Sequence, residues 1–185
     1  MELLDPQPSA KAPDSLFTGD AWWNVIYAGQ APSRARLNHV RFAPGVRTNW
    51  HSHVLGQTLH VVAGVALIGT RDGTIIETHP GETVACPPRE VHWHGATADQ
   101  FMEHLALWEG DGTDAPETDW LEPVTDDQYS GPRTNAHSYE RRRVPPISGR
   151  EEAFWLTRTR CRAFCSRLPS GCVKTVSGGV IGTAQ

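Results

Sequence analysis

Cysteine is scarce in this chain, long apolar runs are missing, and acidic residues are rare at one end. Of four cysteines in 185 residues, Cys161, Cys165 and Cys172 lie near the C-terminus and only Cys86 lies in the body. A disulfide framework for the body is therefore excluded, in keeping with a reducing compartment. No stretch approaches the ~18 consecutive apolar residues of a membrane-spanning helix. The opening MELLDPQPSAKAPDS has neither the basic start nor the apolar centre of a secretory signal. A cytoplasmic protein with no membrane partner is expected. Residues 131–185 hold three Asp/Glu against ten Lys/Arg, a charge of +7, whereas residues 1–130 hold 18 against seven, a charge of −11. The acidic body argues against a nucleic-acid partner.

What the chain has in quantity is punctuation, with 17 Gly and 14 Pro spread along its length. From about Leu16 to Tyr129 they separate short strand-like runs. Ala35 to Phe42 alternates and stops at Ala43-Pro44-Gly45. Gln57 to Val62 turns through Ala63-Gly64 into Val65 to Gly69. Arg71-Asp72-Gly73 reads as a hairpin turn, because Asp-Gly tolerates the positive φ it demands. Thr74 to Thr78, Thr83 to Cys86 and Phe101 to Glu109 follow. Short strands at this spacing predict a sandwich or small barrel. One short helix is expected near Thr125 to Tyr129, capped by Thr125.

The expected division is an N-terminal arm over 1–15, a barrel over 16–130 and a basic tail over 131–185. The tail is expected to be disordered, with a basic helix over Glu151 to Leu168 as the alternative; that helix would set Cys161 and Cys165 on one side. The barrel is expected to form a homo-oligomer, a dimer or tetramer, through its sheet faces and edges.

Nine histidines are many for this length, and three fall into one pattern. Gly45-x5-His51-x-His53-x3-Gln57-x6-Gly64 is followed by Gly81-x5-Pro87-x4-His92. Histidines at i and i+2 on a strand project from one face, about 7 Å apart along the backbone. Both can then reach one ion, with His92 and the oxygen of Gln57 completing a set for a divalent transition metal. Strand parity adds His94 on the face of His92, and Met102, Ala106 and Trp108 on the face of His104. Asn38 and Val40 share another inward face, and Thr48 is placed to donate a hydrogen bond to a bound oxygen. His39, His60 and His79 read as outward or turn residues, and Trp50, Trp93 and Trp120 as packing.

The two histidine blocks resemble the paired motifs of the cupin superfamily, with Gln57 where that family usually has Glu, Arg89 in place of a glycine and Ala96 in place of an asparagine. Trp50 to Leu59 (WHSHVLGQTL), His92 to Gly95 (HWHG) and the run ending at Tyr129 resemble, more narrowly, the small bacterial manganese-dependent cupin hydroxynitrile lyases. The resemblance implies an all-β double-stranded β-helix, or jelly-roll barrel. It implies manganese at His51, His53, Gln57 and His92, with iron, nickel, cobalt or zinc as other candidates. It also implies that Thr48, His94 and His104 lie beside the metal, with His104 as proton-transferring base. The expected activity is Lewis-acid cleavage of a cyanohydrin or similar small hydroxylated or carbonyl compound, in a pocket shaped by Asn38, Val40, Met102, Ala106 and Trp108. A cupin dioxygenase and a non-catalytic small-ligand binder are the alternatives.

Overall fold

The computed structural model describes residues 1–135. Its elements are β1 Ala10–Lys11, β2 Ala21–Ala28, β3 Ala35–Phe42, β4 His51–His53, β5 Gln57–Gly64, β6 Ala66–Thr70, β7 Ile75–Thr78, β8 Thr83–Cys86, β9 His92–Ala96, β10 Met102–Glu109, β11 Thr118–Trp120, α1 Asp126–Tyr129 and β12 Arg133–Asn135. They form two sheets, ordered β1-β2-β3-β10-β5-β8 and β11-β4-β9-β6-β7-β12. Every pairing is antiparallel except that of β12 with β7. This is the expected jelly-roll. Among the described residues no helix is long and apolar enough to cross a membrane.

Period-2 alternation fixes which side chains fill the interior. On β3 and β10, Arg36 pairs with Trp108, Asn38 with Ala106, Val40 with His104 and Phe42 with Met102. Val40, Phe42, Met102 and Ala106 join Leu59, Val61, Ala66, Ile68 and Ala96 in the apolar core. Each fully buried Val, Leu, Ile, Phe or Met among them contributes about 1.5–3 kcal/mol. Phe42 and Met102 stand at one end of these rows, Arg36 and Trp108 at the other, and His104 lies between them opposite Val40.

A second apolar cluster unites Trp50, Leu67, Ile75 and Trp93 with Val124 and Tyr129, so Trp50 and Trp93 pack as expected. Trp93 pairs across the sheet with Gly69, where a Cβ would fall 2.2 Å from the indole nitrogen; only glycine lets the ring lie there. Thr125 caps α1 in a reciprocal box with Gln128, and the Tyr129 hydroxyl donates to the Ala96 carbonyl at 2.7 Å. At the Arg71-Asp72-Gly73 turn, Asp72 accepts from the Thr70 hydroxyl and the Thr74 amide, and Gly73 has φ +84°.

The structure adds strands that the pattern hid. In β2 the adjacent Trp22-Trp23 and a register shift between Val25 and Tyr27 blur the alternation. β1 and β12 extend the sheets beyond the 16–130 limits read from composition, because backbone pairing needs no side-chain pattern. The basic helix and the cysteine pair expected farther along the tail lie outside the described residues.

Candidate metal centre and its cavity

Direct pairing of β4 with β9 sets His51 opposite His92, and His53 follows on the same face. The ligand nitrogens of these three residues lie within 4.8 Å of one another, and all three side chains are buried. Each ring has its Nδ1 engaged from behind. That of His51 donates to the Asn49 carbonyl at 3.0 Å, and that of His92 to the Glu90 carbonyl at 2.9 Å. That of His53 is 3.2 Å from the Thr118 hydroxyl. In His51 and His92 the proton held on Nδ1 leaves Nε2 a bare lone pair facing the centre.

Two observations test whether a metal fits. His53 Nε2 is buried with no hydrogen-bond partner, an orphan that an interior normally supplies with a partner. His92 Nε2 stands 3.0 Å from Gln57 Oε1; with the His92 proton on Nδ1 both atoms are acceptors, a repulsion that a cation relieves. Burial pushes His51 well below the ordinary histidine range, lowers His92, and lowers His53 to about 4. The rings are therefore neutral at cellular pH, as metal ligands must be. Three imidazoles and one amide oxygen suit a divalent transition metal and leave its charge unreduced.

Arg89, standing where the cupin motif has glycine, keeps the left-handed backbone that glycine would adopt, with φ +62°. Its N–H donates to the His53 carbonyl at 2.8 Å, so the turn before His92 is tied directly to the strand that carries the other two histidines.

A cavity of about 220 Å³ opens on this centre. Its inner end is formed by His51, His53, Gln57, His94 and Thr48, and its walls by Asn38, Val40 and Ala106. Trp23, Trp108, Thr118, Trp120, Leu16 and Phe17 complete the lining. A larger cavity, about 810 Å³, runs under the N-terminal residues but has no histidine on its walls. Volume therefore does not mark the chemistry.

Of the residues assigned to the site from sequence, three do not border the cavity: His92, which faces the other two histidines from β9, Met102 and His104. Met102 lies in the apolar core, paired with Phe42 and Gly64, because it sits one step farther along the inward face of β10 than His104, away from Trp108. His104 lies behind His94, its Nε2 3.0 Å from His94 Nδ1. Burial drives His104 down to about 3 and His94 well below its usual value. The cavity therefore meets His94, and His104 backs it. Thr48 is fully buried and accepts the His94 backbone N–H at 3.1 Å, leaving its own hydroxyl proton free.

Sequence reasoning missed β11. Trp120, read as packing, lies tilted against His51 with ring centroids 4.7 Å apart and borders the cavity, while Thr118 meets His53 Nδ1 at 3.2 Å. The available signal was their i, i+2 spacing, the same parity that identified His51 and His53. Outside the barrel, His39 meets Glu103 at 2.9 Å and His60 meets Thr83 at 2.8 Å.

A two-sheet jelly-roll with this histidine set defines a cupin, and the cupin-domain family model matches residues 38–108. The chain belongs to the cupin family. It is 42% identical over 129 residues to an (R)-mandelonitrile lyase from Granulicella tundricola, a match covering 70% of this chain and 97% of that protein. Among solved structures it is similar to a cupin-like protein from Thermotoga maritima, with TM-score 0.61 and 30% identity over 70% of this chain and 95% of the other. A cupin-2 domain protein from Rhodospirillum rubrum shares the fold, with TM-score 0.50 and 16% identity over 62% of this chain and 73% of that one.

Proposed function

We propose that the chain is a manganese-dependent lyase that splits a small aromatic cyanohydrin into an aldehyde and hydrogen cyanide. The observation that carries this reading is the shared cavity: His94, backed by His104, borders the same small chamber as the neutral three-histidine centre. The identity to an (R)-mandelonitrile lyase supports the choice of reaction.

His51, His53 and His92 would hold the ion through Nε2 and Gln57 through Oε1. When bound, it supplies Lewis acidity toward a substrate oxygen, undiminished by any anionic ligand. The chain's own residues do the rest. Trp23, Trp108, Trp120 and Phe17 give the aryl group an apolar, aromatic enclosure. The chamber is smaller than the ~300–1,000 Å³ typical of drug-sized ligands, which restricts it to compact substrates. The free Thr48 hydroxyl proton orients the substrate oxygen. His94 takes the hydroxyl proton as the carbon–carbon bond to cyanide breaks and the carbonyl forms. The same proton then passes to the departing cyanide, which leaves as hydrogen cyanide, so the step is balanced without an oxidant. His104, bonded to the rear nitrogen of His94, fixes the ring for this exchange.

Benzaldehyde release from mandelonitrile by manganese-loaded protein tests the reading. Release that depends on the metal, and that falls about 100-fold in His94→Ala with metal content unchanged, is expected from loss of a general base. No aldehyde release by the loaded wild type, or oxygen uptake during turnover, refutes it.

A further inference from the structure

Beside the site cavity lies a second one of about 490 Å³, bounded by Leu55, Ala85, Pro87, Pro88 and Leu107 among others. Gln57 and Trp108 are the two residues common to both linings, and they pair directly across β5 and β10. These two side chains are the shared partition. Gln57 is committed to the histidine centre. The indole of Trp108 is the removable part, and it is held from one side. Its Nε1–H donates to Glu117 Oε2 at 3.1 Å, while the other Glu117 oxygen accepts from Arg36 at 2.7 Å. Arg36 also donates to the Gly29 carbonyl at 3.1 Å, which anchors it to the backbone. Glu117 and Arg36 are each about one-third or less exposed, so this chain of bonds is partly shielded from water and gains strength accordingly.

We propose that Trp108 is the residue that limits substrate length, and that Glu117, fixed by Arg36, is its positioning residue. With the latch closed the inner chamber takes a single ring. With Trp108 removed or released, the neighbouring apolar cavity becomes a continuation of the site and takes a second ring attached to the first. The ligand class is a neutral aryl compound extended away from its hydroxyl. This rests on the cavity being the substrate site, as proposed above, but not on the bond that is broken there.

The test is calorimetric titration of manganese-loaded full-length protein with two unreactive neutral probes, benzyl alcohol and 4-biphenylmethanol. Wild type should prefer the single-ring probe by about tenfold. Trp108→Ala should reverse that preference to about tenfold in favour of biphenyl. Glu117→Leu should move the ratio part of the way, about threefold, and Glu117→Gln, which retains an acceptor for the indole N–H, should restore the wild-type ratio. The Trp108 indole N–H resonance should shift in Glu117→Leu and not in Glu117→Gln. An unchanged ratio in Trp108→Ala, parallel changes for both probes, or no binding of either probe by wild type overturns the proposal. If the ratios move as stated while mandelonitrile is not cleaved, the lyase reading alone fails.

Discussion

Replacing Gln57 by Glu changes one atom type at the centre and adds a full negative charge where the structure has a neutral oxygen 3.0 Å from His92 Nε2. The side chain is only 6% exposed, so water does little to screen that charge. At an effective dielectric of about 20, opposite unit charges ~4 Å apart attract by about 4 kcal/mol, and a dication doubles this to about 8. Desolvating the buried carboxylate takes back several kcal/mol. The remainder, about 3 kcal/mol, corresponds to manganese binding tighter by roughly two decades. The added anion also halves the net charge of the centre, so polarisation of a bound oxygen weakens and kcat for mandelonitrile should fall at least ~10-fold. Affinity is read by competition with a fluorescent chelator, and kcat by benzaldehyde absorbance. Tighter binding with slower turnover is the expected pair. An unchanged or weaker affinity in a folded Gln57→Glu protein refutes the assignment of Gln57 as a ligand and the electrostatic argument with it.

Arg89→Gly should raise stability by about 0.5–1 kcal/mol, since relief of a left-handed non-glycine residue is worth ~1–2 kcal/mol and glycine's greater unfolded freedom offsets part of it. Arg89→Ala should not raise it, and equal melting shifts in the two variants would contradict the backbone explanation. Acid should destabilise the metal-free protein partly through His104. Its folded pKa of about 3 lies below the unfolded value of about 6.5, so the unfolded chain binds the proton first. That contribution is present above pH ~6.5 and is lost as pH falls toward 3, by about 1.4 kcal/mol per unit. Denaturant unfolding at pH 6.5 and pH 5 should therefore show a difference smaller by about 2 kcal/mol in His104→Asn than in wild type. An identical difference would mean that His104 is not held neutral.

The fold was legible because its strands are short, punctuated and alternating. β3 and β10 begin and end within a residue of where their apolar periodicity and turn residues place them, and β5 runs two residues past its expected end at Val62. The histidine cluster was legible for a related reason: parity determines which side chains share a face, and a recurring spacing tells which faces meet. Depth along a strand is different. Met102, His104, Ala106 and Trp108 share one face of β10, yet parity says nothing about where the core gives way to the cavity. That boundary depends on Phe42 and Gly64 packing against Met102 from strands remote in sequence. β11 was hidden because a three-residue strand carries too little pattern to reveal itself, and Thr118 and Trp120 acquire meaning only when paired with His53 and His51.

Two of the three ligand rings take their orientation from the main chain two residues earlier, at Asn49 and Glu90. A carbonyl belongs to every amino acid, so the tautomer of His51 and His92 is insulated from substitutions at positions 49 and 90. The surroundings of the centre are free to drift in chemistry while its donor atoms keep their aim. One small scaffold can thereby present the same lone pairs to quite different guests, with the variation confined to the rings and side chains at the opening.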